Sequence, residues 1–443
     1  MKSSLLNRRI SALAVSAAML TLSSGAYAAT EIQWWHAMGG KLGEKVNSIA
    51  EGFNKSQTAY KVVPVYKGNY TETMTGAIAA FRAKKAPHIV QVFEVGTASM
   101  MAAKGAIYPV YQLMADNKLA FDPKNYLSAV TGYYADSKGN MLSMPFNSST
   151  PVMYYNKDLF KKAGLDPNTP PKTWPEMEAA AKKLQAAGVK CGFTTGWQSW
   201  VQLENFSAWH NVPFATKSNG FDGFDSKFSF NSPLHVKHIT QLAEWQKSKI
   251  FDYGGRRSDS APKFYTQECA MYMNSSAAYS GIKANAKDFS FGVGMLPYWP
   301  AVNGAPQNSI IGGATLWVLK GRPAAEYKGV GQFLNYLSSA DVQAGWHQAT
   351  GYLPVTYAAY ELTKKQGFYA KNPGTDVSIN QMTGKAPTAN SRGLRFGNFV
   401  QIRDVINEEL EGVWAGKKSP QQALDSAVSR GNEMLRKFEA ANK

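Results

Sequence analysis

Residues 142–158, LSMPFNSSTPVMYYNKD, read as a strand, a polar break at residues 147–151, and a second strand that runs into a helix. Strand–helix units precede this stretch and a new set begins after it. It therefore marks the point where the chain leaves one lobe and starts another. Small hydroxyl side chains at such a crossing face the space between lobes, where ligands bind. With 443 residues the chain is too long for one simple core, which agrees with two lobes.

Working back from the crossing, residues 31–36 form a first strand. Leu42, Val46, Ile49, Ala50 and Phe53 then recur at helical spacing. Residues 61–66 and 88–93 give the next strands, with a helix over 71–82 between them. Strands alternating with helices imply α/β architecture and a parallel sheet, with ligands beyond the carboxyl ends of strands. Residues 67–70 and 94–96 occupy such positions.

Working forward, Thr173, Pro175 and Glu176 make a capping box that opens an Ala-rich helix. A strand over 189–193 leads to Trp197 and Trp200. A helix covers 236–249, a short helix end plus strand 264–273, a helix 277–286 and a strand 291–297. The Pro/Gly/Asn segment 300–306 reads as a return to the first lobe. Two apolar runs separated by Gly312-Gly313 and a helix over 327–337 follow. The chain then goes back near Ser338, and helices over 402–414 and 419–437 complete it. The resulting expectation is a first lobe of residues 29–148 and 300–337 and a second of 149–299 and 338–443. Several crossings between two lobes make a hinge able to close on a ligand.

The N-terminus has the form of a secretory signal peptide over residues 1–28. Lys2, Arg8 and Arg9 precede an apolar core, and Ala26-Tyr27-Ala28 is the cleavage site. No cysteine follows that site, so no lipoprotein anchor is expected, and no later run is apolar enough to span a membrane. The mature protein is expected in the periplasm. A net charge of +17 is compatible with an anionic ligand. Without a compact basic cluster interleaved with aromatics, it reads mainly as a solvated basic surface and not as a nucleic-acid interface. Cys191 and Cys269 are the only cysteines, and an exported context permits a disulfide between them.

No nucleophile elbow, phosphate-binding loop or zincin motif is present, so no catalytic residue, metal ligand or cofactor is assigned. His235 and His238, three apart on a helix, lack a third ligand nearby and read as a surface pair. Ser275 and Ser276 precede a helix, where hydroxyls, free N–H groups and the dipole hold an anion; capping alone is the simpler reading. Gly312-Gly313 either admits a ligand to backbone N–H groups or forms a bulge. Trp197 and Trp200 suit the C–H face of a polyol, or core packing. Glu94 suits ligand hydroxyls, or is a solvated loop charge. Arg403 is a phosphate fork only if the fold brings it to the cleft.

Set in order, these segments resemble the extracytoplasmic solute-binding proteins of ABC importers. Residues 155–158 (YNKD) and 171–174 (PKTW) are shared with the maltose-binding type. Longer runs are similar to the periplasmic glycerol-3-phosphate-binding family: 65–70 (VYKGNY), 91–97 (QVFEVGT), 145–151 (PFNSSTP), 196–209 (GWQSWVQLENFSAW), 310–314 (IIGGA) and 351–354 (GYLP). That resemblance covers essentially the whole chain beyond the leader. It implies a two-lobed type II, maltose-binding-like fold that binds sn-glycerol-3-phosphate and glycerophosphodiesters such as glycerophosphocholine, acts as a monomer, and delivers its ligand to the permease subunits of an ABC importer. It also implies ligand contacts at Tyr70, Glu94, Ser149, Ser275, Gly313, Tyr352 and Arg403, with Trp197 and Trp200 beside the glycerol moiety. Ser199, Asn274 and Ala277 depart from the family pattern. On chemistry, Arg403 and the neutral donors would surround the phosphate and Glu94 the hydroxyl end. An exported phosphodiesterase and a binder of neutral oligosaccharide are the competing functions.

Overall fold

A computed structural model describes residues 29–442. The signal peptide read at residues 1–28 lies outside the described residues. Ten strands form two sheets. The first contains β1 (Thr30–His36), β2 (Tyr60–Tyr66), β3 (Ile89–Phe93), β4 (Ile107–Tyr108), β5 (Met144–Ser149) and β10 (Gly312–Leu319). The second contains β6 (Pro151–Asn156), β7 (Cys191–Thr195), β8 (Cys269–Ser275) and β9 (Phe291–Gly294). Strand order is β2-β1-β3-β10-β4 in the first, with β5 also on β10, and β7-β8-β6-β9 in the second.

Local patterns account for the elements. Helix α1 (Gly40–Ser56) buries Val46, Ile49, Ala50 and Phe53, the stripe its spacing implies. Helix α2 (Tyr70–Arg82) starts at an Asn69 cap closed reciprocally by Glu72, and α3 (Trp174–Ala186) at the expected Thr173–Glu176 box. Helix α4 (Ala278–Asn285) follows β8. Strand β3 is buried on both faces, as a central strand covered by helices must be.

The sheets are mixed, which corrects the parallel expectation. β10 runs antiparallel to β3, β4 and β5, and β8 and β9 run antiparallel to β6. A strand arriving from the other sheet need not come through a right-handed helical crossover, so nothing forces it parallel. Gly312-Gly313 parts the apolar runs as expected, being the first two residues of β10 and separating Ile310-Ile311 from the rest of that strand, whose pairing with β5 shifts register at Ala314/Thr315. The polar break in the crossing narrows to Thr150 alone, because residues 147–149 and Pro151 belong to strands. Thr150 is buried, and its hydroxyl hydrogen-bonds Ser309 Oγ (2.7 Å) and the Ile310 carbonyl (2.9 Å) on the returning chain.

Trp346, Tyr352 and Val355 follow Ser338, where the sequence places the second lobe, yet they pack in the cluster of Ile32, Trp34 and Leu316 from the first sheet. A disulfide joins Cys191 to Cys269, which stand opposite each other on β7 and β8. The chain ends in α5 (Phe399–Trp414), packed along α6 (Pro420–Ala441), with Ser419 capping α6.

Candidate functional site

Sheet register assembles the site. β5 carries Ser149 beside Gly312, with Ser148 paired to Gly313. Two residues after Ser149, Pro151 pairs with Ser275 on β8. The single-residue crossing thus sets Ser149, Gly313 and Ser275 together. They border one cavity of about 220 Å³, which is lined by all nine residues named from the sequence: Tyr70, Glu94, Ser149, Trp197, Trp200, Ser275, Gly313, Tyr352 and Arg403.

Gly313 has φ +88°, and a Cβ there would lie 1.8 Å from the Asn147 carbonyl oxygen, so only glycine fits. A Cβ on Gly312 would stand 2.3 Å from the Trp200 ring, so that glycine makes room for the indole. Trp200 is buried and its Nε1 has no partner among the described residues. Trp197 is half-buried, with φ 47° and its N–H donated to the Arg257 carbonyl (2.7 Å).

Two of the cavity's phenols are stacked on neighbouring rings. Tyr70 stacks on Phe93 and Tyr352 on Trp346. A chain of amides fixes Tyr70: the Ala37 N–H donates to Gln91 (2.7 Å), Gln91 to Asn147 (2.7 Å), and Asn147 to the Tyr70 hydroxyl (2.8 Å). Burial, with Tyr352 adjacent, holds the Tyr70 phenol well above its usual range, and burial raises Tyr352. Both remain neutral and able to donate.

Ser275 Oγ accepts the Ala277 N–H (3.1 Å) ahead of α4. The expected serine cap is not the one formed: Ala277 holds the N-cap position, and Ser276 Oγ is buried without a partner among the described residues.

Of the charged residues at the cavity, Glu94 opens a single 3₁₀ turn after β3, and Arg403 sits in the second turn of α5. They do not stand apart as phosphate and hydroxyl ends. Arg403 Nη2 lies 2.7 Å from Glu94 Oε1. The Nε–Nη2 edge of the guanidinium is taken by Glu204 (2.9 and 2.6 Å), which also accepts from Ser199 Oγ (2.9 Å). All three charged side chains are buried. Burial pulls the guanidinium down, but Glu204 and Glu94 outweigh it and raise Arg403 overall. Burial pushes the Glu94 carboxyl up, Arg403 pulls it back and Glu204 pushes it up again, with a net rise.

Glu204 is the residue that sequence reasoning misses. It lies in a π-helical turn, Trp200–Asn205, a rare local form found at functional sites. Only its place inside the 196–209 run points toward it. Asn147 and Gln91 are likewise invisible as a relay.

His235 and His238 are buried core residues and not the expected surface pair. Ser232 and Ser207 hold the two nitrogens of His235 (2.7 and 2.8 Å), and Phe206 stacks on His238. Burial pushes His235 down to about 3 and His238 well below its usual value. Among the described residues, the only close group of three metal-capable side chains is Cys191, Asp252 and Cys269, two of which are in the disulfide.

Residues 48–375 match the model of the bacterial extracellular solute-binding proteins. This chain belongs to that family. Two relatives are named sn-glycerol-3-phosphate-binding periplasmic protein UgpB. The one from Pectobacterium atrosepticum is 56% identical over 431 residues, covering 97% of each chain. The one from Yersinia pseudotuberculosis is 57% identical over 425 residues, covering 96% of each. Among solved structures, UgpB from Mycobacterium tuberculosis in complex with glycerophosphocholine superposes with a TM-score of 0.77 at 21% identity, covering 93% of this chain and 100% of that one. Maltose-bound T. maritima MalE3 gives 0.74 at 18%, with the same coverages. At those identities the likeness establishes the fold, which is that of the maltose-binding-like proteins. As a family member the chain is an extracytoplasmic binding protein.

Proposed function

We propose that the cavity captures sn-glycerol-3-phosphate and glycerophosphodiesters, glycerophosphocholine among them, and that the protein, as a monomer, delivers them to the permease subunits of an ABC importer. The names of relatives more than half identical to this chain support the ligand class. The observation that carries the reading is that one small cavity is lined both by neutral donors and by a single cluster of buried charge around Arg403.

Arg403 with Glu94 and Glu204 bears one more negative than positive charge when all are ionised, so that cluster repels a phosphate. The phosphate instead meets Ser149, Ser275, Tyr70, Tyr352 and the Gly313 N–H, neutral dipoles already fixed in place. Glycerol hydroxyls meet Glu94 and the free edge of Arg403, and the Trp197 and Trp200 rings take the C–H faces. Contacts come from chain segments of both sheets, so a bound ligand favours the closed arrangement of the two lobes. The lobes are taken as residues 29–148 with 300–337 and 149–299 with 338–443, with the segment around Trp346–Val355 attached to the first. Among the described residues the cavity holds no assembled nucleophile–base pair, which favours binding over hydrolysis.

The test is a titration of mature, ligand-stripped protein followed by tryptophan fluorescence and melting temperature. Glycerol-3-phosphate and glycerophosphocholine should each saturate the signal and raise melting by linkage, with maltose inert and inorganic phosphate weak. A response to maltose alone would remove the phosphate assignment. Release of choline by the pure protein would make it an esterase.

A further inference from the structure

An open groove of about 420 Å³ meets the first cavity at Leu42, which lines both. We propose that it holds the second alcohol of a glycerophosphodiester and selects arms that carry negative charge, such as a phosphorylated inositol. The inference rests on the ligand class proposed above, with the phosphate among Ser149, Ser275, Tyr352 and Gly313, and adds to it which diesters this chain prefers.

A diester's second alcohol is bonded to the phosphate, so its arm leaves from where the phosphate lies. The groove begins within a few residues of those phosphate contacts. Helix α4 starts three residues past Ser275; it gives Ala278 to the cavity and Ser280, Lys283 and Ala284 to the groove. Thr350, two residues before Tyr352, also lines the groove, and its hydroxyl accepts the Tyr352 N–H (3.2 Å). Helix α1 supplies another wall through Lys41, Glu44, Lys45 and Ser48, which share one face at helical spacing. In the lobes as proposed, α1 belongs to the first and α4 to the second, so an arm lying in the groove touches both.

Charge sets the chemistry of that arm. Lys41 is engaged by Glu44 (2.8 Å), but neither Lys45 nor Lys283 forms an ion pair with any described residue. The Lys283 ammonium lies 5.7 Å from the centre of the Tyr279 ring. One unmatched positive charge thus comes from each helix. Lys45 is half-buried, so solvent ions screen it less than a fully exposed lysine. An ammonium is a compact point charge on a flexible stem, suited to a phosphate whose position varies from arm to arm. Ser48 and Ser280 add hydroxyls for a polyol ring.

Arms therefore rank by charge. A phosphorylated inositol brings about −1.5 to −2 to the two free lysines. Inositol alone is neutral and gains only hydrogen bonds. Choline carries a fixed positive charge and meets the lysines as a like charge.

The experiment is calorimetric titration of the mature protein, and of Lys45→Gln/Lys283→Gln, with glycerol-3-phosphate, glycerophosphocholine, glycerophosphoinositol and glycerophosphoinositol 4-phosphate. At low salt the wild type should bind the 4-phosphate at least about threefold more tightly than the unphosphorylated inositol diester, and at about 0.5 M salt that margin should vanish. The double variant should lose the margin at low salt. Glycerol-3-phosphate, which has no arm, should change by less than about twofold, because neither lysine lines the first cavity. Ala284→Glu, which sets a negative charge in the groove, should weaken the 4-phosphate at least about threefold. Equal affinity of the wild type for the two inositol diesters, a margin that survives in the double variant, or a loss shared equally by glycerol-3-phosphate would overturn the groove and leave the ligand class standing. Failure of glycerol-3-phosphate itself to bind the wild type would remove the ligand class, and the groove with it.

Discussion

The two ends of the first cavity bury polar groups by opposite means. At one end Ser149, Ser275, Tyr352 and Gly313 present uncharged dipoles on strands and on the segment around Tyr352, held by sheet register and ring stacking. At the other, Glu94 and Glu204 each lie within 2.9 Å of Arg403. Neutral donors cost little to bury so long as a ligand or neighbour completes them. Buried charges must bring their own partners, and here the arginine's partners are two carboxylates. The difference teaches that the one positive charge among the described residues lining the cavity is already engaged. Anion recognition falls to preorganised dipoles, while the charged end reads hydroxyls and sets the geometry.

The harshest way to break this comparison is Arg403→Ala. Two buried carboxylates would face each other uncompensated, and the ligand-free protein should lose about 3–5 kcal/mol in denaturant unfolding along with its ligand response. A melting curve unchanged from wild type would mean that solvent, and not Arg403, supports those carboxylates.

At the neutral end Ser275→Ala should leave unliganded stability nearly intact, because only the Ala277 N–H loses a partner. Affinity for glycerol-3-phosphate should fall about tenfold, from one lost hydrogen bond to a charged ligand. Equal losses of stability at both ends would erase the distinction.

The mildest effect sharpens it through pH. Glu94 is raised above its ordinary 4.5, chiefly by burial. Between 4.5 and its folded value the native state holds more protons than the unfolded one, so this group lowers stability as pH rises through that window and has no effect below it. Its ionisation also adds a negative charge to the cavity, so affinity for the anion should decline over the same window. Glu94→Gln should flatten that part of the binding profile, as read by titrations at several pH values.

Much of this is legible without the fold. The Val46–Phe53 stripe, the Thr173 and Ser419 caps, the crossing near Thr150 and all nine cavity residues follow from local pattern or from family runs. Three things do not. The sheets are mixed, because strand direction depends on where the chain has been and local residue choice carries no record of that. His235 and His238 read as surface residues, because their i,i+3 spacing is the same whether the face meets water or Phe206. Glu204 gives no signal, because a buried carboxylate is recognised by its partner, and Arg403 lies far along the chain.

By itself the sequence determined the elements, the α/β class and the exported two-lobed plan and, through its resemblance to a family, nine of the residues that line the cavity. Propensity, periodicity and capping are properties of neighbours in the chain. Only the tertiary structure decided how those residues share their charges: which edge of Arg403 is free, and which of the lining groups are neutral donors with no charge beside them. Hydrogen-bond partners and burial are set by segments hundreds of residues apart, and electrostatic roles follow from distance and desolvation, which no local pattern encodes.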